Sequence, residues 1–315
     1  MNEPFKDVCI VCNSRAEEGP LQSVQSAMPG AKRSTADVRH FTPGRGLTSS
    51  IDHHTMAFSN YAPRLVVVLG DRYETLGAAL AAKLLRIPVA HIQGGETTLG
   101  AIDNAFRDCI THLAELHFVA HPMFITKLLS LGVHRSLIHN VGASGLDNVP
   151  PNSANRDSKI ILVTYHPETM AMDYGAKHCS EMLAALDAYQ DYEIIFTGVN
   201  SDPGHDIISA LIESFCAKHH GASVETGIDH DGYVKLMQKA AVVIGNSSAG
   251  VIEAPWVGVP SINLGDRQKG RPMSPSVWQA LNIDGAMKWH GEYRPAYKGG
   301  AAPKIAEEIS RWLSK

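Results

Sequence analysis

The 315-residue sequence predicts an α/β protein made of two parallel-sheet domains, on three observations. Short β-branched runs alternate with longer segments whose apolar residues recur at three- and four-residue spacing, the rhythm of strands joined by crossover helices. That rhythm is interrupted once, where residues 142–158, GASGLDNVPPNSANRDS, concentrate glycine, proline, serine and asparagine. The length suffices for two cores of ordinary size.

Before the interruption the strand runs are VCIVC (8–12), LVVVLG (65–70) and VAHIQ (89–93). After it come KIILVTY (159–165), YEIIFTG (192–198), AVVIG (241–245) and PSINL (260–264). Nearly continuous apolarity suits strands covered on both faces. The segments ETLGAALAAKLLR, NAFRDCITHLAEL, CSEMLAALDAY, DIISALIESFCAKH and GYVKLMQKA carry the helical period between them. The domains are accordingly set at 1–147 and 158–315. The last helix, AAPKIAEEISRWLSK, has one apolar stripe of Ile305, Ile309 and Leu313 and is free to pack back on the first domain.

With 44% apolar and 19% charged residues and a net charge of −4, the composition is that of a soluble globular protein without a polyanion-binding surface, so no nucleic-acid partner is expected. MNEPFKDVCIVC lacks a basic leader before a longer apolar stretch, and no run reaches membrane-spanning length. The five cysteines are odd in number and scattered, which fits reduced thiols in the cytoplasm. Cys9 and Cys12 lie three apart in a strand and should face opposite sides, against a shared metal or disulfide.

Parallel sheets bind ligands beyond the carboxyl ends of their strands, so chemistry should follow the strand runs. Asp71 follows LVVVLG, with Glu74 three residues on; Glu96 and Asp103 follow the strand that carries His91, in GGETTLGAID. Acids at helix starts also serve as caps, but caps alone do not explain acids converging from two successive strand ends. Arg107 is one turn beyond Asp103 and could orient its carboxylate. His166 ends the strand KIILVTY. In GNSSAGVIEAP, Asn246, Ser247 and Ser248 precede a helix, and the serine hydroxyls and free amides suit a phosphate or diphosphate, with ordinary N-capping by serine as the alternative and Glu253 placed where it could accept from ribose hydroxyls. Neither GxxxxGK[ST] nor a strand-linked GxGxxG is present. His53-His54 has no zinc spacing, and Asp229-His230-Asp231 reads as a helix cap, so neither a metal nor any cofactor is expected.

Together, GDRYE (70–74), HIQGGETTLGAIDNAFRDCITHLAELHF (91–118), VTYHPET (163–169), GNSSAGVIEAP (245–255) and INLGDRQKGR (262–271) resemble the UDP-N-acetylglucosamine 2-epimerases, over roughly residues 8–280. GGE followed by GAID is similar to the hydrolysing branch, which releases N-acetylmannosamine and UDP. The resemblance implies two Rossmann-like domains facing across a cleft, a GT-B-like architecture, with UDP held mainly by the second. It places catalytic roles on Asp71, Glu96, Asp103, Arg107 and His166. UDP-sugar contacts fall on Arg15, Glu74, His91, Asn246, Ser247, Ser248, Glu253 and Arg271. Two departures stand out: NSRAE replaces the family's usual GTRAD, and the span between the first helix and GDR is shorter than in the family. A second function fits the same scaffold, a glycosyltransferase using a UDP-sugar donor. A retained set of three acids and a histidine favours the epimerase, because a transferase needs only one base. The resemblance implies a UDP-sugar as partner, no membrane, and leaves a homo-oligomer open.

Overall fold

The computed structural model describes residues 4–36, 43–155 and 159–315. The chain divides into two compact units. The first comprises residues 1–96, 103–148 and 297–315, the second residues 97–102 and 149–296.

In the first unit the chain runs through β1 (Val8–Val11), α1 (Arg15–Ala27), β2 (Lys32–Ser34), α2 (Pro43–Tyr61), β3 (Leu65–Leu69) and α3 (Tyr73–Leu84). It continues through β4 (Val89–Ile92), α4 (Asp103–Leu113), β5 (Leu116–Val119), α5 (Met123–Ser130) and β6 (Ile138–Asn140). All strand pairs are parallel, in the order β2-β1-β3-β4-β5-β6. Alternation sends Ile10 and Cys12 into one core and Cys9 and Val11 into another, so the two cysteines do face apart.

In the second unit the elements are β7 (Ile160–Thr164), α6 (Ala176–Leu186), β8 (Glu193–Thr197), α7 (His205–Cys216), β9 (Ala222–Glu225) and α8 (His230–Lys239). Then follow β10 (Val242–Gly245), α9 (Glu253–Val257), β11 (Ser261–Asn263), β12 (Val277–Trp278) and α10 (Ile283–Met287). This sheet is also parallel, ordered β12-β11-β10-β7-β8-β9. Asp229 caps α8 by accepting from Gly232 N at 2.8 Å, the role read for it from sequence.

The last helix, α11 (Ala301–Leu313), belongs to the first unit. Its Ile305 and Ile309 are fully buried in the same core as Leu21 and Val24 of α1. Asp147 holds its start: one carboxylate oxygen accepts from Gly300 N (2.7 Å) and Ala301 N (2.9 Å), the other from Ala302 N (2.7 Å). A carboxylate there satisfies helix amides that have no partner within the helix.

Each sheet has one place where consecutive connections leave in opposite directions, and such a place opens a crevice beyond the strand ends. In the first sheet it lies between β1 and β3, and in the second between β7 and β10.

Candidate active site

In the first unit, the turns after β1, β3 and β4 are joined by polar side chains. Asp71 follows β3, and its carboxylate pairs with the guanidinium of Arg107 on α4. Arg107 is 2% exposed and also donates from Nη1 to the carbonyl of Glu96 at 2.9 Å. Lys127 Nζ reaches that carbonyl at 3.3 Å and pairs with Asp108 at 2.7 Å. Glu96 itself is fully buried, and Asp103 is the partly buried first residue of α4. Asp71, Glu96 and Arg107 therefore share one network, and Asp103 heads the helix that carries the arginine.

The sequence-based expectation for Arg107 was an ion pair one turn away on its own helix. Its guanidinium engages Asp71 from the neighbouring strand end, a contact that depends on β3 lying beside β4.

His91, assigned a UDP-sugar contact from sequence, is also bonded within the fold. Its Nε2 bonds the Gly70 carbonyl at 2.7 Å and its Nδ1 bonds Thr111 Oγ1 at 3.3 Å, so both ring nitrogens are used within the fold. Burial pushes its pKa down to about 3, leaving a neutral imidazole that ties the end of β3 to α4. Glu74 is likewise engaged, gripping Arg72 through both carboxylate oxygens at 3.2 Å. The side chain of Arg15 lies outside the described residues; its backbone begins α1.

Sequence reasoning missed Glu17, in the first turn of α1. It is buried, accepts from Asn13 N at 2.6 Å and from Thr75 Oγ1 at 3.2 Å, and so ties the turn after β1 to the start of α3. Asn13 Oδ1 in turn meets His54 Nε2 at 3.1 Å, and His54 Nδ1 meets Ser34 Oγ at 2.8 Å. Burial raises the Glu17 pKa from 4.5 to about 7. The folded protein thus holds this proton more tightly than the unfolded chain does, and stability is lost as pH rises between those two values. Glu17→Gln keeps an acceptor but removes the charge. It should stabilise the protein by about 1–3 kcal/mol at pH 8 and leave it unchanged near pH 4.5. Urea unfolding of both proteins at the two pH values measures this directly. Histidine contributions are common to both and cancel.

In the second unit, His166 and Asn246 meet at the β7–β10 crevice. His166 N donates to Asn246 Oδ1 and Asn246 Nδ2 donates to the His166 carbonyl, both at 2.8 Å. Gly245 is required there: its φ is +139°, and a Cβ would lie 1.9 Å from the Thr164 carbonyl oxygen. The Asn200 amide approaches His166 Nδ1 at 3.3 Å. An amide can only donate, so the neutral imidazole carries its proton on Nε2. Ser247 accepts from Ala249 N at 3.3 Å and caps the short 3₁₀ turn that begins at Ser248. Glu253 is the first residue of α9, and its charge adds to the burial that raises the Tyr233 pKa. Arg271 is partly buried at the end of the turn after β11.

Three further residues shape this site. Gln268, 1% exposed, donates to the Asn246 carbonyl at 2.8 Å, and Arg267 does so at 3.3 Å. Glu168 accepts from Asp266 N at 3.1 Å. All three sit inside the stretches VTYHPET and INLGDRQKGR, where proximity to His166 and the turn after β11 was the available signal.

A family model described as UDP-N-acetylglucosamine 2-epimerase matches residues 35–284. The chain belongs to that family. Among its relatives, the GDP/UDP-N,N'-diacetylbacillosamine 2-epimerase (hydrolyzing) of Campylobacter jejuni is 37% identical over 68% of the chain and 59% of that protein. The polysialic acid biosynthesis protein P7 of Escherichia coli is 35% identical over 70% of the chain and 59% of that protein. The chain thus spans about six-tenths of the length of these two epimerase-family relatives. The UDP-GlcNAc 2-epimerase structure from Neisseria meningitidis superposes with a TM-score of 0.77 at 18% identity, covering 98% of this chain and all of that one. That likeness establishes the two-sheet, GT-B-like epimerase fold. No helix among the described residues is long and apolar enough to cross a membrane.

Proposed function

We propose that the chain is a hydrolysing 2-epimerase that converts UDP-N-acetylglucosamine to N-acetylmannosamine and UDP. The observation that carries this reading is Arg107, which holds the Asp71 carboxylate and the backbone carbonyl of Glu96 together, with Asp103 at the head of the same helix. One carboxylate removes the C2 proton while the C1–O bond breaks and its electrons leave with UDP, giving a C1=C2 glycal. Water then adds its oxygen to C1, and an acid returns a proton to C2 from the opposite face. Arg107 pairs with Asp71 and holds its carboxylate at the end of β3. His166 presents Nε2–H, and with Asn246, Ser247 and Ser248 it suits the diphosphate, Glu253 and Arg271 serving the nucleoside end. Kinship with relatives named as hydrolysing epimerases supports this reading over a glycosyltransferase. Since two of those relatives are named for the diacetylated bacillosamine sugar, that nucleotide sugar is the alternative substrate.

The test is incubation with each UDP-sugar in deuterated water, followed by NMR. Elimination removes the C2 hydrogen, so the released manno sugar should carry deuterium at C2. Release of UDP with a sugar that keeps its C2 hydrogen and gluco configuration would reject the proposal, because cleavage at C1 alone leaves C2 untouched.

A further inference from the structure

The segment Thr97–Ile102 joins the two acids Glu96 and Asp103, yet it belongs to the second unit while both acids belong to the first. Its backbone is bound on two sides. Leu99 N donates to the Lys269 carbonyl and Gly100 N to the Asp266 carbonyl, each at 3.0 Å. Met170 N donates to the Gly100 carbonyl at 3.4 Å, and Ile102 N donates to Thr169 Oγ1 at 2.9 Å. At Gly100 the approach leaves no room for a side chain, since a Cβ would lie 2.5 Å from the Asp266 carbonyl carbon and oxygen. Gly270 matches it from the other side, where a Cβ would lie 2.6 Å from Thr97 Cγ2.

The turn that grips this segment is itself bound to the loop after β10, through Gln268 and Arg267 on the Asn246 carbonyl. Asn246 adjoins Ser247 and Ser248, which the proposed function assigns to the diphosphate. A continuous series of hydrogen bonds therefore leads from the diphosphate loop to a six-residue segment flanked by the two acids. A segment this short, with its peptide groups bound, has little slack to absorb a displacement of the turn.

We propose that Gly100 and Gln268 are positioning residues, through which occupancy of the loop 246–248 by the diphosphate of UDP orders the segment 97–102 and sets Glu96 and Asp103 for proton transfer. This rests on the function proposed above. It goes further in assigning turnover control to residues that touch neither the sugar nor the reacting atoms. General acid–base geometry tolerates little error, and a displacement of about 1 Å can cost on the order of 100-fold in rate.

The experiment is amide hydrogen exchange on the full chain with and without UDP, alongside kinetics and UDP calorimetry for the parent and Gly100→Ala. In the parent, UDP should slow exchange at Leu99, Gly100 and Ile102 by about tenfold or more, which reads the coupling without any substitution. In Gly100→Ala, kcat should fall roughly 100-fold while UDP affinity falls by no more than about tenfold, the amount that linkage to the lost protection requires, and the UDP-dependent protection should disappear. Gln268→Leu should lose the same protection although the segment itself is intact. A purely structural role would lower exchange protection equally with and without UDP. Parent amides at 97–102 that ignore UDP, a Gly100→Ala enzyme with parental kcat, or one that loses UDP affinity in step with kcat would each overturn the proposal. If UDP protects the segment but no UDP-sugar turns over, the functional reading fails and the coupling stands; if UDP does not bind, both fail.

Discussion

Glu96→Gln is expected to lower turnover by roughly two to four orders of magnitude while leaving UDP affinity nearly intact, the signature of a lost acid or base. The structure makes this substitution informative. Glu96 serves the fold through its carbonyl, which receives Arg107 and Lys127, and glutamine retains that carbonyl. What changes is the ability of a fully buried side chain to exchange a proton. UDP affinity should persist because the residues assigned to the diphosphate, Asn246 to Ser248, belong to the second unit. Asp103→Asn should behave in the same way. Initial rates paired with calorimetry for each variant decide it: activity within a few-fold of the parent would reduce both carboxylates to caps.

Arg107→Met should bring the largest loss of stability, about 3 kcal/mol, together with loss of turnover. The guanidinium is buried and joins two turns at once, so its removal strips Asp71 of its counter-charge and the Glu96 carbonyl of a donor. Lysine cannot rescue it, since one ammonium does not reproduce a planar fork spanning two acceptors. Adding Asp71→Asn to Arg107→Met removes the stranded charge and should recover part of the stability. A coupling energy of about 1–3 kcal/mol from urea unfolding of the four proteins is the expected result. Additive losses would mean that the two side chains act independently.

How far the sequence could lead is clear from particular elements. β1, β3, β4, β7, β8, β10 and β11 were readable within one or two residues because burial on both faces leaves continuous apolar runs. β2, β9 and β12 were not. They lie toward the sheet edges, are short, and include polar or exposed residues such as Lys32, Arg33 and Glu225. β5 (Leu116–Val119) was not read as a strand, and its first residue was taken into the preceding helix, because Leu113 and Leu116 continue the three-residue spacing of α4 and nothing local marks the break at Ala114–Glu115. The candidate acids were proposed from sequence because they lie in the turns and helix starts that follow β3 and β4. Their partners were not: Asp71 meets Arg107 only through the order of strands, and Glu17 looks like an ordinary exposed first-turn acid until Thr75 covers it. The same holds for His91, whose two bonds inside the fold come from residues about twenty positions away on either side.

The return of α11 to the first unit, held by Asp147, has a consequence for the order in which the chain can fold on a ribosome. Residues 149–296, nearly all of the second unit, are synthesised before Ile305 and Ile309 exist. Until then the helix α1 and the strand β1 have Leu21, Val24 and Ile10 facing a missing partner, and Asp147 has no amides to receive. The earlier-made half is therefore the later to finish, and its nascent form is the one with exposed apolar surface for chaperones to cover.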